Sequence, residues 1–315
     1  MLTDKMLSAV VICYKDELNI RALYERLSAA LRSLTERYEI IYVNDASPDG
    51  SAAILRELSD RDPHLTVVHH SRNFGAQAAF TSGMLQAIGD AVILLDGDLQ
   101  DPPELIEAFV RKWQEGYEVV YGVRRRREKS LGKINEWLYH SFYRFFHHLS
   151  YVKAPVDAGE FSLMDHVVVE WMNALPERDR LIRGLRAWVG FRQTGVEYVR
   201  PERYAGVSTN SFLKNLRWAR KAIISFSYAP LEWVSTIAGC LLLLSLAGVV
   251  FYAGYFFLYP GAPRGLTTVY VLVLFLGSVQ LLSLSVIAEY VGRIFEETKQ
   301  RPRAIVRDVW NNHRR

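Results

Sequence analysis

The sequence predicts an α/β protein with a doubly wound, mostly parallel sheet, followed by an amphipathic interfacial helix and two transmembrane helices. Two observations lead to this fold class. In the N-terminal part, short apolar runs alternate with helical patterns in units of about 25–30 residues, as in strands joined by crossover helices. From Glu232 to Tyr290, a block of 59 residues contains three charged side chains, whereas the rest of the chain has an ordinary soluble composition.

Composition excludes several classes of protein. The 315 residues suggest about two domains and are too apolar and too varied for a disordered or collagen-like chain. The net charge of +4 is too small to indicate nucleic-acid binding, so no nucleic acid is expected as a partner. Cys13 and Cys240 lack a CxxC neighbour, which argues against a disulfide or a zinc site. The first apolar run, Met6–Tyr14, lacks a cleavage site and is better explained as a strand than as a signal peptide.

Apolar, β-rich runs predict five strands, and leucine spacing and turn signals predict the helices between them. The predicted strands are Leu7–Cys13, Tyr38–Val43, Leu65–His69, Ala91–Leu95 and Val119–Gly122. The predicted helices are Glu17–Leu34, one from the turn Ser47–Gly50 to about Asp60, Ala76–Ile88, and one that opens at Asp101–Glu104. Ligands of such sheets bind at the carboxyl ends of the strands, so the polar residues that follow each strand are the candidates for a site.

Asp96 and Asp98 directly follow the fourth strand, and Gln100 lies two residues further on. Mg²⁺ is usually held by one or two carboxylates together with substrate phosphates. Paired acidic residues are also common in solvated loops, but here an apolar run precedes them directly. The pattern therefore favours a metal–phosphate site.

The other candidates each have two interpretations. Asp16 and Asp45 could accept a hydrogen bond from a ribose or a base, or could cap a turn. Gly75 could let backbone N–H groups approach an anion, or simply form a turn. The basic run Arg124–Arg127 suits phosphate recognition or a solvated surface, and Asp157 could orient or deprotonate a substrate or belong to a turn.

Two charge-free runs predict a transmembrane hairpin. Trp233–Pro263 has 31 residues and Gly265–Ala288 has 24, and a helix needs about 20 apolar residues to cross the hydrocarbon core. A buried soluble hairpin is the alternative, but soluble helices rarely lack a polar face. Asn210–Tyr228, where apolar and basic residues alternate, predicts an amphipathic helix in the membrane surface; an ordinary packed helix is the alternative.

Basic residues flank the hairpin on both sides. Those concerned are Lys214, Arg217, Arg220 and Lys221 before it and Arg293, Lys299, Arg301 and Arg303 after it. Because cytoplasmic flanks are rich in Lys and Arg, both termini and the large domain are expected in the cytoplasm. This predicts a multi-pass protein of the inner cell membrane.

Six motifs follow one another along the chain: Tyr14–Glu17, Asn44–Ser47, Arg72–Gly75, Asp96–Glu104, Asp157–Phe161 and Arg203–Ser208. Taken together, they resemble glycosyltransferase family 2, in the branch that transfers sugars to polyprenyl phosphates. The branch includes dolichol-phosphate mannose synthases and bactoprenol glucosyltransferases, and the two C-terminal spans fit the bactoprenol type best. The chain departs from the family pattern at three places. It has Asn44-Asp-Ala-Ser47 where the family usually has Asp-Asp-Gly-Ser, and Lys15-Asp16 where the family usually has Asn-Glu. It also has Thr209 where the family has Lys.

The resemblance implies a GT-A fold and the inverting transfer of a hexose from a nucleotide sugar to undecaprenyl or another polyprenyl phosphate. UDP-glucose is the expected donor, with GDP-mannose or another UDP-sugar as alternatives. The resemblance also implies that Mg²⁺ or Mn²⁺ is held by Asp96, Asp98 and Gln100. The remaining roles are donor binding by Tyr14, Asp16, Asp45, Asn73 and Asp96, acceptor or phosphate binding by Arg124, Arg127 and Arg203, and catalysis by Asp157 and Asp98.

The implied organisation has four parts. Residues 1–209 form the cytoplasmic GT-A domain, 210–229 the interfacial helix, 230–292 the hairpin in the bilayer, and 293–315 a basic cytoplasmic tail. Membrane hairpins often associate, so a homo-oligomer is among the expected partners. A processive synthase is an alternative, but Arg217-Trp218 lacks the Gln of its acceptor motif. A non-catalytic scaffold that binds nucleotide sugars is another, and the set Asp96, Asp98 and Asp157 argues against it.

Overall fold

The structure is a computed structural model that describes residues 1–125, 158–199, 227, 229–258 and 266–311. The described residues fall into two compact units. Residues 1–125, 158–199 and 301–311 belong to the first unit, and residue 227 and the described residues from 229 to 300 belong to the second.

The first unit alternates strands and helices along the chain. Its described strands are β1 (Leu7–Cys13), β2 (Tyr38–Asn44), β3 (Leu65–His70), β4 (Ala91–Asp96), β5 (Val119–Arg125), β6 (Ala158–Asp165), β7 (Gln193–Val199) and β8 (Val306–Trp310). Its described helices are α1 (Glu17–Leu34), α2 (Ser51–Arg61), α3 (Ala76–Gln86), α4 (Ile106–Gln114), α5 (His166–Ala174) and α6 (Ile182–Trp188), with a 3-10 turn at Pro103–Leu105.

The strands form one sheet in the order β7-β5-β6-β4-β1-β2-β3-β8. The four strands β4, β1, β2 and β3 are parallel neighbours, and β5 pairs in parallel with β7. Two strands run the other way, because β6 is antiparallel to both β4 and β5 and β8 is antiparallel to β3. The sheet is therefore mixed and mostly parallel, which confirms the predicted class.

The central strands lack the alternation of apolar and polar residues that is typical of a half-exposed strand, because both of their faces are covered. Helices cover both faces of the sheet: α1, α2 and α4 pack on one side, and α3 and α5 on the other. The sequence of a strand that is buried on both faces is a continuous apolar run. β2 is such a strand, since every one of its residues is buried. On α1, Leu23, Leu27 and Leu31 face the sheet at helical spacing and are fully buried.

The C-terminal strand β8 adds to the edge of the sheet beside β3. The ring of Trp310 lies 3.9 Å from the ring of His69 and 4.8 Å from the guanidinium of Arg56. Next to it, the side-chain amide of Asn311 donates to the carbonyls of Ser59, Asp62 and Leu65. These contacts fix residues 310 and 311 on the sheet. The sequence predicts a basic tail here and no strand, because the charged residues hide the β pattern.

The second unit contains two long helices, α7 (Ala229–Leu258) and α8 (Leu266–Thr298). Within them, Ala229–Gly248 and Leu272–Thr298 are long and apolar enough to cross a membrane, by length and composition. Large apolar side chains such as Leu243 and Phe251 are exposed on their surfaces. The Tyr290 hydroxyl donates to the Ser227 carbonyl at 2.8 Å, so it ties α8 to the residues that precede α7.

The bounds of β1 to β4 and of α1 to α3 agree with the predicted ones to within two residues. The strand β5 runs on to Arg125, so Arg124 lies in a strand rather than after it. Most of the predicted amphipathic segment, 210–228, lies outside the described residues.

Replacing Trp310 with Ala should loosen the edge of the sheet. We expect Trp310→Ala to lower the free energy of local opening of β8 by about 1–3 kcal/mol, because a half-buried aromatic side chain loses its packing. Hydrogen–deuterium exchange of peptides that cover β3 and β8 in the full-length protein measures this. Val306→Ala, at an exposed position of the same strand, is the matched control. Unchanged protection in the Trp310 variant would show that the strand is held by other contacts.

Candidate active site

Three of the predicted loops meet at the carboxyl edge of the sheet. The parallel register pairs Cys13 with Asn44 and Ile12 with Asp96. The residues that follow β1, β2 and β4 therefore leave the sheet side by side. This places Asp16, Asp45 and Asp96, which are far apart in sequence, at one edge, as the sequence predicts for a ligand site in a parallel sheet.

The loops after β1 and β2 interlock through backbone hydrogen bonds. The N–H of Lys15 donates to the Ser47 hydroxyl at 2.7 Å, and the N–H of Gly50 donates to the Glu17 carboxylate at 2.9 Å. The Asp16 carboxylate accepts the N–H of Tyr14 at 3.1 Å. These bonds hold the Asp16 carboxylate in place at the edge of the sheet.

Residues other than glycine adopt left-handed backbone conformations in each of three strand-end loops. They are Lys15 (φ 62°), Ala46 (φ 53°) and Leu99 (φ 59°). Such a conformation costs roughly 1–2 kcal/mol for a residue with a Cβ, and this strain is common at functional sites. Glycine adopts this conformation without that cost.

The carboxylate of Asp45 connects β2, β3 and the start of α3. Its Oδ1 accepts the N–H of Phe74 at 2.8 Å, and its Oδ2 accepts the N–H of Gly75 at 2.7 Å. The His70 ring lies between Asp45 (2.7 Å) and the Ser82 hydroxyl (2.8 Å). Burial disfavours the charged carboxylate, but the hydrogen bonds from His70, Phe74 and Gly75 outweigh it and lower the pKa of Asp45. This carboxylate therefore orders the loop before α3, and both of its oxygens already accept hydrogen bonds from the protein.

Asp96 is the last residue of β4, and Asp98 lies in the tight turn that follows. Asp98 is buried, with 8% of its surface exposed, and it accepts the N–H of Gln100 at 3.1 Å. A Cβ placed on the intervening Gly97 would lie 3.2 Å from the Asp16 carboxylate, so a third acidic group faces this turn.

The carboxylates of Asp96 and Asp98 could hold a divalent cation that is also bound by a substrate. Among the described residues, no group of three or more His, Cys, Asp or Glu side chains is arranged to hold a metal ion. Hard cations such as Mg²⁺ often take only one or two protein carboxylates and complete their shell with phosphate oxygens and water. The residues Asp96 and Asp98 are suited to that kind of site, in which the substrate supplies part of the coordination.

Arg124 approaches the same edge from β5. Its Nε donates to the Tyr198 hydroxyl at 3.4 Å, and the same hydroxyl donates to Asp101 at 2.6 Å. Burial disfavours the charged guanidinium, but the carboxylates of Asp101 and Asp96 help to outweigh it and raise the pKa of Arg124. Asp101 and Tyr198 were not selected from the sequence. Asp101 lies inside the motif Asp96–Glu104, whereas nothing near Tyr198 in the sequence marks it.

The remaining predicted residues divide into exposed ones and ones outside the described part of the chain. Tyr14 is 42% exposed and Asn73 is also exposed, so both side chains are accessible to a ligand. Arg127, Asp157 and Arg203 lie outside the described residues.

Comparison with known proteins gives a consistent picture. The model of glycosyl transferase family 2 matches residues 8–171. An uncharacterised glycosyltransferase of Bacillus subtilis, YkcC, is 42% identical over 304 residues, which cover 95% of this chain and 92% of the relative. The bactoprenol glucosyl transferase of Shigella phage SfX is 36% identical over 306 residues, which cover 96% and 98% of the two chains.

Among solved structures, a mannosyltransferase from Pyrobaculum calidifontis in complex with GDP-Man and Mn²⁺ is similar, with a TM-score of 0.48 and 17% identity over 93% of this chain and 88% of that one. The family match, together with the mixed, mostly parallel sheet, confirms the GT-A-like fold.

The Asp45 contacts predict a pH-dependent contribution to stability. Because the pKa of Asp45 is lower in the folded protein than its ordinary value of 3.8, the unfolded state binds more protons at low pH. The stabilisation is complete above the unfolded pKa and is lost as the pH falls through the folded pKa. We therefore expect Asp45→Asn to cost about 1–3 kcal/mol at neutral pH, and less at about pH 3.

Denaturation of the detergent-solubilised protein at several pH values, followed by circular dichroism, measures this difference. Asp60→Asn, on the exposed side of α2, is the control and should be neutral throughout. A difference between wild type and Asp45→Asn that is the same at neutral pH and at about pH 3 would contradict the assignment.

Proposed function

The chain belongs to glycosyl transferase family 2, and we propose that it transfers a hexose from a nucleotide sugar to a polyprenyl phosphate at the cytoplasmic face of a membrane. The observation that carries the proposal is the placement of Asp96 and Asp98 at the carboxyl edge of a parallel sheet, in a chain that also has two apolar helices. Relatives of nearly the same length are named bactoprenol glucosyl transferases, and the alignments cover 96% of this chain.

The proposed donor is UDP-glucose, in line with the glucosyl transferases among the relatives. Its nucleotide lies at the loops that follow β1, β2 and β3, where Tyr14, Asp16, Asp45 and Asn73 are found. The ordered Asp45 carboxylate contributes by fixing the loop Phe74–Gly75. GDP-mannose and other UDP-sugars are the alternatives, because the same acidic and amide groups can contact any of these nucleotides.

Asp96, Asp98 and Gln100 would hold Mg²⁺ or Mn²⁺ against the diphosphate of the donor. A divalent cation at this position supplies positive charge to the leaving diphosphate without a proton. Asp98 is held by the Gln100 N–H in a buried turn, so its carboxylate is oriented before the donor binds. Arg124 and Arg127 add positive charge near the same phosphates.

In the proposed reaction, an oxygen of the polyprenyl phosphate forms a bond to the anomeric carbon of the hexose. The bond from that carbon to the diphosphate breaks, and the nucleoside diphosphate leaves with the electron pair. A phosphate monoester has a second pKa near 6 and is mostly ionised at neutral pH, so no strong base is needed. Asp157 orients the acceptor, and Arg203 binds its phosphate. Attack from the face opposite the leaving group inverts the anomeric centre.

The two apolar helices would bring this site to a lipid acceptor. We place α7 and α8 across the inner cell membrane as a hairpin, preceded by an amphipathic helix at 210–229. The order of the units along the chain supports the proposal. The chain leaves the first unit before α7 and belongs to that unit again from residue 301. The strand β8 in this last stretch pairs with β3. A chain that returns to the same side must cross the membrane an even number of times. The basic flanks favour the cytoplasm as that side.

A panel of donors tests the proposed reaction. The full-length protein in detergent or nanodiscs is incubated with undecaprenyl phosphate, a divalent cation, and UDP-glucose, GDP-mannose or other UDP-sugars in turn. We expect a lipid product whose mass increases by one hexose, with UDP-glucose the best donor, and none when the lipid is omitted. No lipid-linked product with any donor would overturn the proposal in favour of a non-catalytic scaffold.

A second prediction concerns Asp98. We expect Asp98→Ala to lower the transfer rate by at least about a hundredfold, because the leaving diphosphate loses its charge neutralisation. The protein should still fold, which circular dichroism would verify. Glu107→Gln, at an exposed position on α4, is the control and should retain activity. Near wild-type turnover of Asp98→Ala with metal present would remove Asp98 from the metal site.

A further inference from the structure

A buried tyrosine connects the acidic motif after β4 to the arginine on β5. The Tyr198 hydroxyl donates to the Asp101 carboxylate at 2.6 Å and accepts the Nε–H of Arg124 at 3.4 Å. Tyr198 is 7% exposed, and its ring packs edge-on against Phe161 at 5.9 Å. A single hydroxyl thus uses both its donor and its acceptor capacity inside the protein.

Two glycines make room for this arrangement. A Cβ on Gly122 would lie 2.7 Å from the Tyr198 ring, and a Cβ on Gly159 would lie 2.6 Å from the Arg124 guanidinium. Real Cβ atoms do not approach that closely, so any side chain at either position would displace one of the two partners. The tyrosine ring and the guanidinium therefore lie in slots that the flanking strands leave open for them.

The pairing of two strands places Arg124 next to Tyr198. β5 and β7 are parallel, and Arg124 lies directly opposite Tyr198. Asp101 comes from another part of the sequence, five residues beyond the end of β4. The contact therefore joins three segments: the turn that carries Asp96 and Asp98, the strand that carries Arg124, and the edge strand β7.

We propose that Tyr198 is a positioning residue that holds Arg124 toward the diphosphate of the bound donor. This inference rests on the proposed function. An arginine side chain has many rotamers, and fixing it when a ligand binds costs affinity. The Tyr198 hydroxyl, itself fixed by Asp101, removes part of that cost in advance. Tyr198 does not touch the donor; it acts through Arg124.

The variant Tyr198→Phe tests this because it keeps the ring and removes only the hydroxyl. We expect the Kd for UDP in the presence of Mn²⁺, measured by calorimetry, and the KM for the donor each to rise about tenfold, while the KM for the lipid stays unchanged. The matched control is Tyr38→Phe. Tyr38 is equally buried and its hydroxyl also accepts an arginine hydrogen bond, from Arg32 at 2.9 Å, but it lies at the other end of the strands.

A double-mutant cycle with Arg124→Ala tests whether Tyr198 works through the arginine. If it does, Tyr198→Phe has no further effect on UDP binding once Arg124 is removed, and the two effects are not additive. Additive effects, or loss of UDP binding in Tyr38→Phe as large as in Tyr198→Phe, would overturn the positioning role. Wild-type protein that transfers no hexose and binds no nucleoside diphosphate would instead overturn the proposed function, and the positioning role with it.

Discussion

The parallel pairing of β1 with both β2 and β4 is the constraint on which the rest of the structure depends. β1 is one of the two central strands, and its core residues are completely buried. Its register sets which loop residues leave the sheet next to one another, with Cys13 opposite Asn44 and Ile12 opposite Asp96. A shift of one residue would exchange the side chains that pack on the two faces of the sheet, and a closely packed core tolerates little change in side-chain volume. The hydrophobic core therefore fixes the relative positions of the acidic groups at the edge.

The acidic groups at this edge already accept hydrogen bonds from donors within the protein. Asp45 accepts backbone N–H groups from the loop after β3, Asp98 accepts one from Gln100, and Asp101 accepts the Tyr198 hydroxyl. Groups that are ordered during folding do not lose that freedom again when a ligand binds. Lys15, Ala46 and Leu99 have left-handed backbone conformations. The core keeps these strained loops in one conformation, so they too are ordered before a ligand binds.

The sequence predicts the first half of the fold well for a physical reason. β1 to β4 are buried on both faces, so each is a continuous apolar run, and each is followed by polar residues that the sheet collects at one edge. That local signal was enough to select Asp96 and Asp98. The signal fails where pairing depends on distant residues. β8 is partly exposed, contains the charged residues Arg307 and Asp308, and becomes a strand only beside β3. The contact of Tyr198 with Asp101 joins residues 97 positions apart.

The late return of the chain to the sheet has a consequence for biosynthesis. β8 and Asn311 are synthesised after both apolar helices, yet they cover the edge of β3, which is complete after the first 70 residues. Until β8 leaves the ribosome, β3 has an unpaired edge, and unpaired edges promote aggregation. The sheet can therefore be closed only after α7 and α8 have been synthesised. A nascent chain that stalls within α7 or α8 would present this open edge to chaperones and proteases.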